Sequence, residues 1–448
     1  MSITKMVDLD VYRPLIERFL HFFQTEGVPR IPPGFEREVL FKIFNKDFEE
    51  RDLAWSITGM RGCVELFVFI LNCTRSLPEK CRAAYTEISA LYMVKFLFEG
   101  LTDNFAINQL DIEALGGQSL EPSSVLGSYA LFNEAFYRKL EGDPTPITTL
   151  LHPLRDISVS LTDIAHINPE HVQKVLINAF NVKDPATVDL KKANISLFPW
   201  CVANIEMCLF INDLMKAHPL QRFIVEMCKK RYEGVNRLLL GNIGSRNELL
   251  DIRGAEILAS EDIIARLLYI EKGTGHDFGF SKCITEIEEA ACCVHQITRL
   301  LNDFGQLVLI DINEARNYFN ELLEFHAHRP DLTSLQTLFH EWPDAMTKMP
   351  RLTKDIMLSE MNMGFIWKTN ILSQDAVPQT LSDYVSLIAS EVEYWNQRYQ
   401  DIEAKFLQLL EYIDNRTVDH IAFDFLRSYA DFNIALYLTN YKESDYMI

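Results

Sequence analysis

The chain has 448 residues, 48% of them hydrophobic and 11% aromatic, which is ample for a deep core and excludes a disordered composition. Its formal charge of −20 argues against nucleic acid or an anionic membrane as the main partner, and no run approaches the roughly 18 apolar residues of an integral membrane segment. The nine cysteines are odd in number and form no CxxC pair, so buried free thiols fit better than disulfides or a thiolate zinc site, and the N-terminus lacks a signal-peptide hydrophobic region, which predicts a cytoplasmic protein.

In chain order, the hydrophobic period is helical almost everywhere. The most apolar run, Leu66 to Leu71, is short and ends at Asn72, as a buried helix does. Residues 79–102 read as a long helix, then the Gly/Pro/Ser-rich stretch 115–124 and the turn 141–148 interrupt the pattern. A chain of this length is served by one large helical domain or two fused ones. A boundary near residue 145 separates an N-terminal helical region, 1–145, from a second region, 146–448. Segments 189–216, 219–240 and 281–301 continue the helical period. In the last of these Ile284, Ile287, Ala291, Val294 and Leu301 form one stripe. Breakers lie at Gly273 to Gly279 and at Trp342-Pro343 to Pro350, and long helices follow over 381–413 and 417–440. Alternation of the kind that marks strands is missing, so the fold class is all-α.

The most informative segment is Arg299-Leu300-Leu301-Asn302-Asp303-Phe304-Gly305-Gln306, which runs on to Asp311, Glu314, Asn317 and Asn320. Asn302 and Asp303 follow an apolar helix without a breaker, where a buried carboxylate must meet a cation or a set of donors. If the helix continues, Asp303 and Asp311 lie about two turns apart on one side and can share divalent cations through oxygen ligands. A solvated helix face with ordinary acids accounts for the same spacing.

That segment resembles the second metal-binding motif of class I terpene synthases, chiefly bacterial ones. Around it, Gln221-Arg222-Phe223 to Gly234, Leu250-Asp251-Ile252-Arg253, the stretch Thr380 to Tyr399 and the closing stretch Phe425 to Tyr437 are similar to other parts of that family. The resemblance covers residues 150–448 in pieces. It implies a helical terpene-synthase-type bundle with extra N-terminal helices and an insertion around 321–379. It also implies Mg2+- or Mn2+-dependent ionisation of a linear prenyl diphosphate, followed by cyclisation, in isoprenoid biosynthesis. Asn302, Asp303 and Asp311 are then the expected metal ligands. Arg253, and more weakly Arg299, would stabilise the departing diphosphate. On that reading Asp303→Ala abolishes turnover and leaves the helices intact.

The motifs depart from the pattern. Counted from Asn302, Gln306 and Ile310 stand where a hydroxyl and an acid belong; counted from Asp303, the acid returns as Asp311 but the hydroxyl is still missing. No DDxxD occurs. Its stand-ins are Asp163, best placed by its separation from Asn302, then Asn212-Asp213, and Glu99 with Asp103. The aromatics Phe198, Trp200, Phe210, Phe223 and Phe304 sit on candidate cavity helices, but such residues are core far more often than cavity wall. Rival readings are a non-catalytic helical binding protein on such a fold and an unrelated haem or metal enzyme. Against a di-iron bundle, no Glu-x-x-His pair occurs. A homodimer stays open.

Overall fold

Apolar stripes of period 3.6 become helices here because each has another stripe to pack on. The computed structural model describes residues 9–35, 66–71, 78–106, 125–160, 194–216, 218–357 and 361–438, and these are almost entirely helical. Among the described residues before 145, the helices include α1 (Leu9–Phe22), α2 (Glu79–Ala106) and α3 (Val125–Leu140). There follow α4 (Phe198–Leu214), α5 (Gln221–Leu239), α6 (Arg246–Glu256), α7 (Ala259–Thr274) and α8 (Ile284–Phe304). The C-terminal part carries α9 (Gln306–Ile310), α10 (Ile312–His328), α11 (Leu335–Glu341), α12 (Pro350–Met357), α13 (Leu381–Asp414) and α14 (Ile421–Leu438).

One small departure from all-α is an antiparallel ribbon, β1 (Ser158–Ser160) with β2 (Asn194–Ser196), in the register Val159 opposite Ile195. Three-residue strands are too short to show alternation in sequence. The expected helix 189–216 accordingly begins only at Phe198, where Pro199 occupies the first turn, the position that loses nothing by lacking an N–H. Helix α13 starts at a capping box. Thr380 Oγ1 accepts from the Asp383 N–H at 3.2 Å, and the Asp383 carboxylate accepts from the Thr380 N–H at 3.0 Å.

The packing is layered around α2, α7 and α8. Helix α2 lies between α1, α4 and α7, α3 rests on α5, and α8 is flanked by α6, α7, α13 and α14. One apolar cluster runs from Leu15 to Ala430, so elements from both sides of residue 145 contribute to the same core. The predicted stripe of α8 faces it, with Ile287, Ala291, Val294 and Leu301 fully buried. The seven described cysteines are free, as the thiol reading expects. Among the described residues, no helix is long and apolar enough to cross a membrane.

Helix α7 is buried on nearly all sides, so its polar residues must find partners inside. Glu261 takes Lys95 of α2 at 3.0 Å and the Tyr92 hydroxyl at 2.6 Å. Asp262 takes Arg266 one turn on, at 3.0 Å from Nε and 2.5 Å from Nη2, and the Tyr429 hydroxyl at 3.0 Å. Arg266 also lies over the rings of Phe67 and Tyr92, 4.0 and 5.0 Å from their centroids.

Candidate functional site

The residues singled out from sequence do not form one group. Helix α8 stops at Phe304, because Gly305 takes φ 75° and ψ 161°, a backbone conformation that glycine adopts freely and other residues do not. A short helix, α9, follows, and Asp311 then begins α10. The assumption of one continuous helix, which placed Asp303 and Asp311 on the same side, is therefore corrected. Asp311 is exposed and caps α10, accepting the Asn313 and Glu314 N–H groups at 3.1 Å each.

Asp303 is fully buried and central to a network. Its Oδ1 accepts from Arg299 Nη1 at 2.9 Å, its Oδ2 from the Met363 N–H at 2.8 Å, and Arg253 Nη2 lies 3.5 Å from both oxygens. Arg299 Nε donates to the Arg253 carbonyl at 2.9 Å, and Arg253 Nη2 to the Met361 carbonyl at 2.6 Å. Glu256 pairs with Arg253 and lies 3.5 Å from Arg299 Nη2. Asn362 fastens the 361–364 segment onto α8. Its amide donates to the Asp303 carbonyl and to Asp355 Oδ2, both at 2.7 Å. Asn302 is held separately, its carbonyl accepting from Arg351 Nε at 2.7 Å and its amide oxygen from the same guanidinium.

Gly254 explains how α6 brings Arg253 this close. A Cβ there would lie 2.6 Å from Cδ2 of His295, so any larger residue would push α6 off α8. Charges decide the protonation of the pair. Burial opposes ionisation of Asp303, but Arg253, Arg299 and the Met363 N–H outweigh it and hold the carboxyl below its usual range. Burial likewise opposes charge on Arg253, and Glu256, Asp303 and Asp355 overcome it.

This arrangement does not suit a divalent cation. Ligand oxygens must be free to face the ion, whereas those of Asp303 and the side chain of Asn302 already face guanidinium donors, and Asp311 is at a different helix end. Among the described residues no group of three or more His, Cys, Asp or Glu is placed to hold a metal. Of the stand-ins for the first motif, Asp163 lies outside the described residues. Asn212 donates weakly to Cys208 Sγ at 3.9 Å, and Asp213 is exposed beside Lys216. Glu99 is buried in an ion pair with Arg231. The ion pair of Arg253 with Glu256 is one the sequence offered, with Asp251 as the alternative; what sequence reading missed is the rest of the network: Arg351, Asp355, Asn362 and the Met363 N–H. The only local signal was the Asn362-Met363-Gly364 turn inside the expected insertion.

His295, between α6 and α7, donates to or accepts from Ser260 Oγ at 2.9 Å. Burial, aided by Lys230, pulls its pKa down to about 3. A folded pKa below the unfolded value of about 6.5 means that its stabilising contribution is complete above pH 6.5 and is lost as pH falls towards 3. In urea titrations between pH 6 and 4, the native protein should therefore lose about 1.4 kcal/mol per pH unit more than His295→Gln does. Parallel pH profiles for the two proteins would refute this.

Among the clefts at the surface of the described residues are two of a size to hold a small molecule. One, of about 380 Å³, is walled by Phe365, Trp367 and Tyr384, with Trp367 edge-on to Tyr384 at 5.0 Å. The other, of about 460 Å³, lies between α5, α8 and α13 and is lined by charged side chains together with Phe223, Cys292 and Ile402. Both are within the size range of small-molecule sites. Phe198, Trp200 and Phe304 are core, as the simpler reading of those aromatics expects. Compared with protein-family models, with curated proteins and with solved structures, the chain matches none.

Proposed function

We propose that this chain is a non-catalytic helical binding protein. The observation that carries this reading is the use made of Asp303: its oxygens are taken up by Arg299, Arg253 and the Met363 N–H, so the motif serves as a clamp between α6, α8 and the 361–364 segment. A buried carboxylate flanked by two guanidinium groups and one amide has its charge balanced and its lone pairs occupied. The clefts, by contrast, are open to small ligands.

A second reading is favoured by one observation. Arg253 and Arg299 come from different helices and converge on one point, as a terpene-synthase-type fold would need for the diphosphate of a linear prenyl substrate. It requires Asp303 and Glu256 to release both guanidinium groups, and it requires metal ligands that the described residues do not assemble. Incubation with C10, C15, C20 and C25 prenyl diphosphates, with magnesium and with chelator, separates the two. The binding reading expects no magnesium-dependent release of diphosphate from any of them. Release with a hydrocarbon product would overturn it and establish the cyclase.

A further inference from the structure

The cleft walled by Phe365, Trp367 and Tyr384 lies where the starts of α11 and α13 meet the segment 365–368. The buried part of its wall is apolar, with Phe365 and Ile356 nearly inaccessible and Leu335 and Leu381 half-buried beside them. Three rings adjoin one another. Trp367 stands 5.0 Å from Phe365 at 41° and 5.0 Å from Tyr384 at 74°, centroid to centroid. Rings this close already touch, so a ligand cannot enter between them and must lie against their outer surfaces. Trp367 and Tyr384 are only half-buried, which leaves part of each ring uncovered.

Most polar side chains of the wall are occupied. The Ser334 and Thr380 hydroxyls cap α11 and α13, and Gln379 Nε2 donates to the Val377 carbonyl at 2.9 Å. Gln336 and Lys368 have partners within the chain. Among the described residues, no group takes up the Trp367 indole N–H or the Tyr384 hydroxyl. No carboxylate lines the cleft, although the chain carries 63 acids against 43 lysines and arginines. A cationic ligand would therefore find no counter-charge, and an anionic one would have to draw Lys368 from its present partner. An uncharged ligand meets neither cost. The indole N–H can only donate, so a ligand that displaces solvent from these rings must bring an acceptor.

The wall is also held in place. Just before Phe365, the Met363 N–H donates to Asp303 at 2.8 Å, the Met363 carbonyl accepts from Trp395 Nε1 at 3.2 Å, and the Gly364 N–H donates to Asn362 Oδ1 at 2.8 Å. The clamp around Asp303 thus fixes the segment that carries Phe365 and Trp367, which lowers the ordering cost of binding there.

We propose that this cleft binds an uncharged aromatic or heteroaromatic compound of one or two rings, with its ring against Trp367 and Tyr384 and a hydrogen-bond acceptor towards their N–H and O–H. A volume of about 380 Å³ accommodates such a molecule. This assignment gives the binding reading a site and a ligand class, and rests on it.

The test is equilibrium dialysis of the full chain against benzamide, naphthamide and indole carboxamide, each with relatives that keep its ring but carry a carboxylate, an aminomethyl or a methyl group instead. At least one amide should bind at one site per chain, and its two charged relatives tenfold or more weakly. Trp367→Ala should weaken that amide tenfold or more. Trp367→Phe and Tyr384→Phe each keep a ring and remove a donor, and at least one should weaken the amide threefold or more relative to its methyl relative. If Trp367→Ala fails to fold, these two variants and the ligand series carry the test. The assignment is wrong if no amide binds, if the charged relatives bind as well, or if every variant binds as the native chain does. That failure would leave the metal-free reading standing, because that reading is judged by diphosphate release alone.

Discussion

Asp303→Ala is expected to lower the unfolding free energy by about 3–5 kcal/mol, the range for deleting one partner of a buried ion pair. The substitution leaves Arg253 and Arg299 facing each other with Glu256 and, for Arg253, Asp355 as the remaining acids, and it also strands the buried Met363 N–H. Thermal and urea denaturation measure the loss. The effect should carry a pH signature. Asp303 has a folded pKa below its unfolded value, so its contribution is present above about pH 3.9 and disappears as pH falls through the lower, folded value. Wild type and variant should then converge in stability in acid. An unchanged urea midpoint at pH 7 would return Asp303 to the role of an accessible ligand, for which the sequence alone had argued.

Asp262→Ala should cost a similar amount, about 3–5 kcal/mol, for a related reason. Arg266 and Asp262 are both completely buried, and the guanidinium is held by two bonds to the carboxylate. Removing Asp262 leaves a fixed positive charge in the core and takes a partner from the Tyr429 hydroxyl. The faces of Phe67 and Tyr92 recover part of this, since a desolvated cation over a ring gains about 2 kcal/mol. The informative companion is the double replacement Asp262→Leu with Arg266→Met, which removes both charges and should restore most of the stability. If the double variant is no more stable than Asp262→Ala, the loss comes from packing and not from the orphaned charge.

The fold class was legible in residue order, and the reason is local. Helical period and helix caps act within one or two turns; α13 begins at Leu381, where the sequence places it, whereas α4 begins only at Phe198, later than its period suggests. The α8 stripe of Ile287, Ala291, Val294 and Leu301 is buried as its spacing requires. The apparent site failed at a single residue. Gly305 looks like a neutral position in a polar helix, yet its positive φ ends α8 and turns Asp311 away from Asp303. Nothing within a helical-wheel argument warns of that, because the wheel presupposes the helix.

By itself, then, the sequence determined that the chain is helical and where most of its helices lie, and it left Asp303 open between a buried carboxylate beside a cation and a solvated helix face. Tertiary structure alone decided between the two and supplied the partner. Arg253 reaches Asp303 because Gly254 lets α6 approach α8, and Asn362 and Met363 arrive from a segment sixty residues downstream. The physical reason is general. A helix sets its own hydrogen bonds locally, but a buried charge is settled by whatever distant chain the fold brings within about 3 Å of it.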